Sequence, residues 1–358
     1  VADAGDDRAR ERARESMMAE YHVGLDVSLD ETSVCVVDQD GKVLKECKAA
    51  TEPADIALAI SAYADDVARV GLEAQSLSPW LYTELQALGL PVIVVETQHM
   101  KAALRAQRNK TDKNDARGIA QMMRMGWFRR VHVKSHDSMQ LRVLLSNRRL
   151  LKRKFLDVEN ELRGTLKAFG IKIGKVSRGR FEARTTELLD GTDPTLRGMV
   201  ISMLRVRRML WDECLKLHAL LVRTVRDDPV CRRFMTVPGV GPVVALTFRT
   251  AVDDPHRFSR SRTVGAHFGL TPRKFQSGTI DYDGRISKCG DGEVRTALYE
   301  AASSLLVRCK TSSELRSWGL SLVKRRGHKK ALVAVARKLA TLLHRMWLDG
   351  TDFRPAAA

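Results

Sequence analysis

Four carboxylates stand where a strongly basic chain has least reason to place them. Asp26 interrupts the apolar run VGLDVS, and Glu73 closes the apolar run VGLEA. A carboxylate inside an apolar strand is costly unless it is paired or bound to a cation. Asp112 and Asp115 lie three apart in NKTDKNDARG, the spacing that puts both on one helix face. Acids gathered from two strands and a helix can hold two divalent cations about 4 Å apart, and such a pair activates a nucleophile and steadies a leaving oxygen in phosphodiester chemistry. Hard oxygen ligands of this kind suit Mg²⁺ or Mn²⁺. Lys110, Lys113 and Arg117 surround the helical pair and would draw a phosphate backbone towards it. The plainer alternative is a salt-bridged, solvated helix face, with Asp26 an ordinary edge residue.

A second stretch with chemical content is FGLTPRKFQSGTIDYDGRISKCGDGEVR, residues 268–295, which reads as a loop. Ser277 and Ser287 stand there among Gly278, Gly284 and Gly290 and the cations Arg273, Lys274, Arg285 and Lys288. A serine so placed could attack phosphorus while the cations stabilise the developing charge. A polar surface loop has the same composition. Upstream, VPGVGPV (237–243) fails the dinucleotide fingerprint because position 244 is Val. It suits the turn of a helix-hairpin-helix, where Gly239 and Gly241 would let backbone N–H groups approach a DNA phosphate. An ordinary inter-helix turn fits it as well.

These residues need elements to position them. Residues 21–28 read as a strand, and two apolar runs joined by Asp40–Gly41 read as a hairpin. Helix 54–65, strand 68–74, helix 79–88, strand 90–97 and helices near 98–107 and 112–125 follow. The order β-β-β-α-β-α-β-α-α predicts a mixed sheet with helices packed on it, as in an RNase H-like fold. From about 136 to 226 strand signals vanish. Leu151, Phe155, Val158, Leu162, Thr165 and Phe169 form a heptad seam with one polar member. Arg148, Arg149, Lys152, Arg153 and Lys154 crowd the same segment and are expected to bind nucleic acid. A second long helix starts at Asp193–Pro194, with Pro in the first turn. The pair predicts an antiparallel, coiled-coil arm, an element suited to oligomerisation. The remainder reads as helical, broken by loops, and ends in the amphipathic KKALVAVARKLATLLHRMWLDG.

Composition narrows the partners. The 358 residues carry 61 Lys and Arg against 43 Asp and Glu, a net charge of +18, and the pI is near 9.9. That balance points to a polyanion, nucleic acid first and an acidic membrane second. No apolar run is long enough to span a membrane. Residues 1–19 are charged throughout, lack the apolar core of a signal peptide, and read as a flexible extension. The six cysteines include no C-x-x-C pair, the usage of a reducing compartment with neither disulfide framework nor zinc site.

The motifs together resemble the DEDD transposases of bacterial insertion sequences, guide-RNA-directed recombinases related to Piv-type DNA invertases. The matching stretches are GLDVS at Asp26, LEA at Glu73, KTDKNDA at Asp112 and Asp115, VPGVGPVVALTF, DDPHRFSRSRTVGAHFGLTPRKFQSG, GRISKCGD and ARKLATLLHRMW, covering nearly all of residues 20–353. The resemblance implies a RuvC-like metal-binding domain at 20–132, a helical arm at 133–228, a mostly helical C-terminal transposase domain with the serine loop at 229–353, and a tail at 354–358. It implies that Asp26, Glu73, Asp112 and Asp115 bind Mg²⁺ and that Ser277 attacks the scissile phosphate to form a covalent DNA–protein link. The site would be composite, with metals from one domain and serine from the other, across subunits. A structured noncoding RNA would specify donor and target DNA, the protein would assemble as a dimer or tetramer, and its place would be the bacterial cytoplasm, at the nucleoid when active. Many relatives carry SSGG where this chain has QSGT; the second serine aligns with Ser277, and Ser287 is the second choice. The alternatives are a RuvC-like nuclease that cuts branched DNA with metal-activated water, and a non-catalytic RNA-binding protein that uses the basic arm.

Overall fold

The computed structural model describes residues 20–104 and 111–355. The N-terminal extension 1–19, Lys110 and the last residues of the tail lie outside them. The chain forms two compact units, one ending at Lys134 and the other starting at Ser135.

In the first unit the apolar runs become the centre of a five-stranded sheet. Strands β1 (Tyr21–Val27), β2 (Glu31–Val37), β3 (Val43–Ala50), β4 (Val67–Glu73) and β5 (Val92–Val95) lie in the order β3-β2-β1-β4-β5. β1 pairs antiparallel with β2 and parallel with β4, and β4 pairs parallel with β5. The near-continuous burial of β1, β2 and β5 is what strands covered on both faces require. β3 has no fully buried residue and carries Lys45 and Lys48, which suits a charged edge. The other edge is covered by residues 129–131, where Val131 N–H donates to the Val94 carbonyl at 2.8 Å. The β2–β3 turn has Gly41 at φ 85°, with the Asp38 carboxylate accepting from the amides of Asp40 and Lys42.

Helices cover both faces. α1 (Pro53–Ile60) and α2 (Ser78–Ala87) bury Ile56, Ile60, Leu81 and Leu85 against Leu25, Leu72 and their neighbours. α3 (Thr97–Leu104) and α4 (Asp112–Met125) lie on the opposite face, where Ile119, Met122 and Met123 pack on Ile93 and Val95, and Ala116 and Ala120 on Cys35 and Val37. The expected element order is present, in a mixed α/β unit.

The second unit opens with two long helices, α5 (His136–Ala168) and α7 (Pro194–Asp227), separated by the short α6 (Phe181–Leu188). They run antiparallel, since Arg148 meets His218 while Glu159 meets Arg207. The buried seam departs from the expected heptad. Thr165 is exposed and Phe169 is 60% exposed, whereas Leu166 is fully buried. Phe155, Leu162 and Leu166 span eleven residues over three turns, the repeat of a nearly straight helix, whereas a strict heptad demands a supercoil. The remaining helices are α8 (Pro229–Met235), α9 (Pro242–Val252), α10 (Ser261–His267), α11 (Gly292–Ser303), α12 (Glu314–Arg326) and α13 (His328–Asp349). They share one core with Leu144, Leu221 and Val225 of the long pair, built on Phe234, Phe248, Phe268 and the apolar stripe Leu332–Leu343 of α13.

Residues 268–295 are not simply a loop. Strands β6 (Pro272–Ser277) and β7 (Ile280–Ile286) form a separate antiparallel hairpin. Its two-residue turn is Gly278–Thr279, with Gly278 at φ 55° and Thr279 not in the positive-φ region, as in a type II′ turn.

Candidate active site

Helix α4 brings two of the acids to the sheet. Thr111 caps it, its hydroxyl accepting from the Asn114 amide at 3.2 Å, and Gly126 ends it in the left-handed region. Asp112 and Asp115 occupy the first turn, where the helix dipole favours negative charge. Two glycines let the helix come close. A Cβ on Gly24 would lie 2.1 Å from the Ala116 carbonyl oxygen, and one on Gly71 would lie 2.6 Å from the Met123 side chain. Farther along α4, Gln121 donates to the Gly41 carbonyl at 2.6 Å and Arg124 to the Gln39 carbonyl at 3.2 Å. Those groups lie at the end of the sheet where β1 begins, so α4 runs antiparallel to β1. Its first turn therefore lies towards the carboxyl ends of β1 and β4.

Asp26 and Glu73 are at that end. The register pairs Gly24 with Gly71 and Leu25 with Leu72, which makes Asp26 and Glu73 the next rung. Both stand two residues beyond the helix-facing glycines, on the α4 face. The spacing agrees. From Ala116 back to Asp112 the helix rises about 6 Å, and from Gly24 to Asp26 the strand advances about 6.6 Å. Gln75 Nε2, just beyond β4, donates to the Val27 carbonyl at 2.7 Å and ties the two strand ends together, while Ser78 Oγ donates to the Glu73 carbonyl at 2.5 Å and fixes the turn after β4. Carboxyl ends of parallel strands are where open α/β sheets hold ligands.

All four expected acids thus share one face and one end of the sheet. Asp26, Glu73 and Asp115 are half-buried and Asp112 is exposed. Among the described residues, no three His, Cys, Asp or Glu side chains gather closely enough to hold an ion. The donor set has the oxygen chemistry a hard divalent cation needs, but the carboxylates share a location and do not form a coordination shell.

A fifth acid, Glu46 on β3, was missed from sequence. It accepts from Lys113 at 2.8 Å and from Arg117 Nε and Nη2 at 3.0 and 2.8 Å. Burial alone would raise its carboxyl pKa, but the hydrogen bonds from Lys113 and Arg117 outweigh burial and hold it below the usual carboxylate range. Lys113, expected to meet phosphate, is engaged with Glu46 in this state. The signal was a lone Glu among lysines on an edge strand, and only its position across from α4 gives it meaning.

Ser277 ends β6, paired with Ile280 across the turn, and is exposed. Lys274 pairs with Asp281, and Arg273 donates to the Ser287 carbonyl at 3.2 Å. Arg285 and Lys288 are exposed. Ser287 is half-buried at the hairpin base, where its amide donates to the Thr271 carbonyl and its hydroxyl accepts from the Cys289 amide. Lys288 adopts φ 56°, a region side chains rarely enter. Arg295, also unforeseen, locks the base by donating to the carbonyls of Phe268, Cys289 and Gly290. Of the glycine turn, Gly239 (φ 91°) is pressed on its own chain: a Cβ would lie 2.6 Å from the Ala301 carbonyl oxygen. Gly241 caps α9 with open space around it.

On the long pair, Arg148 donates to His218, Arg149 pairs with Glu293, and Lys154 pairs with Asp157 at 3.3 Å. Lys152 and Arg153 point to solvent.

The transposase family model of the DEDD, IS110 type matches residues 23–171, which hold all four acids. The model described as the transposase IS116/IS110/IS902 family matches residues 231–317, which hold Ser277. The chain is 30% identical over 338 residues to the transposase for insertion sequence element IS1111A of Coxiella burnetii, covering 93% of this chain and 91% of that one. The chain belongs to the IS116/IS110/IS902 transposase family. The transposase is also 30% identical over 297 residues to a probable family 20 transposase of Pseudomonas aeruginosa, with 80% of this chain and 86% of the relative covered. It is 24% identical over 285 residues to the transposase for element IS1328 of Yersinia enterocolitica, with 79% and 85% covered. Among its described residues, no helix of the transposase is long and apolar enough to cross a membrane.

Proposed function

We propose that this transposase cuts and rejoins DNA by serine attack on phosphodiesters, guided by a structured noncoding RNA of its element. The observation that carries the serine role is the placement of Ser277, exposed at the tip of a hairpin whose base bears Arg273, Arg285 and Lys288. The Ser277 oxygen forms a bond to the scissile phosphorus as the bond to the leaving sugar oxygen breaks. The hydroxyl proton passes to solvent, the leaving oxygen takes up a proton, and the cations at the hairpin base hold the flanking nucleic-acid backbone. Rejoining is the reverse attack by a sugar hydroxyl, which frees the serine. Ser287 is the weaker choice, because its hydroxyl already serves the backbone of the hairpin base.

Asp26, Glu73, Asp112 and Asp115 would hold Mg²⁺ or Mn²⁺, supported by their common location at the strand ends. The ion would supply Lewis acidity towards phosphate oxygens. The sheet order and the helix on its acid-bearing face support an RNase H-like, RuvC-like first unit, with residues 20–132 as its extent. The helical pair of 133–228 would serve as a basic, oligomerising arm ahead of the C-terminal domain 229–353. Lys152 and Arg153 are its solvent-facing cations, while Arg148, Arg149 and Lys154 would exchange their present partners for phosphate. The guide RNA, dimeric or tetrameric assembly and cytoplasmic location rest on the family resemblance and the net charge of +18.

The test is a denaturing gel with labelled donor and target duplexes, the native flanking RNA and Mg²⁺. A protease-sensitive, SDS-resistant DNA adduct that disappears in Ser277→Ala supports the reading. An adduct that survives there and disappears in Ser287→Ala moves the nucleophile. Cut DNA without an adduct leaves water as the nucleophile and puts the RuvC-like nuclease in the lead.

A further inference from the structure

The β6–β7 hairpin is amphipathic, yet its apolar side faces solvent. Directly paired residues of an antiparallel ribbon share a face, and the register pairs Phe275 with Tyr282 and Ser277 with Ile280. One face therefore carries Phe275, Tyr282, Ile280 and Ser277, and the other carries Lys274, Gln276, Asp281 and Asp283. Phe275 is 44% exposed, Ile280 56% and Tyr282 55%. The two rings are stacked, with centroids 5.1 Å apart and planes 19° apart. Gly284 makes room for them: a Cβ there would lie 2.7 Å from the Phe275 ring. An exposed, preformed aromatic pair is expensive to keep in water unless something covers it.

The surroundings say what covers it. Arg273, Arg285 and Lys288 stand exposed at the base of the hairpin and attract a polyanion, while the rings between base and tip offer a flat apolar surface. Cations that follow a backbone, together with aromatic faces for bases, are the two parts of a single-stranded nucleic-acid site. Phe275 precedes Ser277 by two strand residues, about 7 Å along the same face. A base on the ring therefore belongs to a nucleotide beside the phosphate that meets the hydroxyl.

We propose that Phe275 and Tyr282 form a stacking platform for an unpaired DNA base next to the scissile phosphate, positioning that phosphate at Ser277. The inference rests on the reading of Ser277 as nucleophile, and its test does not depend on cutting. Full-length protein is titrated into a thymidine oligodeoxynucleotide with one 2-aminopurine, and fluorescence quenching reports stacking. Binding and quenching are expected to weaken roughly ten-fold in Phe275→Leu and in Tyr282→Leu. They are expected to persist in Phe275→Trp, in Ser277→Ala and in Gln276→Ala on the other face. Phe275→Trp guards against a hairpin that has merely lost its fold. Native-like quenching in both leucine variants, or quenching only with the matching RNA oligonucleotide, overturns the platform. Survival of cutting in Ser277→Ala would overturn the nucleophile and leave the quenching result standing.

Discussion

Replacing Gly24 by Ala should lift helix α4 from the sheet. The new methyl would lie 2.1 Å from the Ala116 carbonyl oxygen and 2.4 Å from the Ala120 amide nitrogen. Both obstacles are helix backbone, so no side chain can swing aside, and the helix must retreat on the order of 1 Å. Overpacking of this kind costs about 1–3 kcal/mol, and a backbone obstacle places it near 2–3 kcal/mol. That loss should speed amide exchange in the peptide spanning α4 about 30- to 150-fold, provided the helix opens as a local unit. DNA cutting should fall as well, because Asp112 and Asp115 travel with the helix. Gly164→Ala is the control. It lies inside α5 with nothing within 4 Å of the added methyl, and should stabilise by about 0.5–1 kcal/mol. Exchange in α4 that is unchanged by Gly24→Ala would refute the seating of α4 on β1, and with it the common location of the four acids.

Glu46→Gln removes the charge that Lys113 and Arg117 share, and should cost about 1 kcal/mol at neutral pH, since both cations are largely exposed. The folded-state pKa of Glu46 lies below its ordinary value, so its contribution is present above the ordinary carboxylate range and is lost as pH falls through the lowered value. Urea unfolding should show the variant converging on the parent below about pH 4. In the long pair, Arg207 is 5% exposed, bonds Glu159 at 2.8 Å from Nε and lies over the rings of Phe155 and Phe181. Glu159→Ala should cost about 3–5 kcal/mol by stranding that charge, whereas the double variant Glu159→Leu, Arg207→Leu should cost less, as a thermal melt will show. Neutralising Lys152 and Arg153 to Gln should reduce the slope of log affinity against log salt by about 1 for each phosphate that is no longer neutralised. An unchanged slope would make them only a solvated face.

Several of these features were visible in the chain before it folded. Asp40–Gly41 announced its hairpin because few residues tolerate that turn, and Asp193–Pro194 announced the second long helix because the cap and the fixed Pro φ act locally. The hairpin at Ser277 was legible in principle, since IDYDGRI alternates with period two, but its glycines and charges read as loop. The seam erred by one residue because Thr165 and Leu166 are adjacent on the same turn, and the eleven-residue spacing from Phe155 puts Leu166 on the buried face. Glu46 and Arg207 were not legible, because each matters through a carboxylate or guanidinium far along the chain, Glu46 through Arg117 and Arg207 through Glu159, and Arg295 reaches back to Phe268 as well as to its nearer neighbours.

The sequence by itself determined which acids and serines are out of keeping with their neighbours, the order of strands and helices, and the attraction to polyanions. These follow from local propensity, apolar patterning and net charge, all additive along the chain. Only the tertiary structure decided that α4 runs against β1, so that Asp112 and Asp115 lie at the end occupied by Asp26 and Glu73. Only it set Phe275 and Tyr282 ring against ring on the face of Ser277. Those outcomes depend on backbone approach at Gly24, Gly71 and Gly284, a steric property that no residue carries until another part of the chain is laid against it.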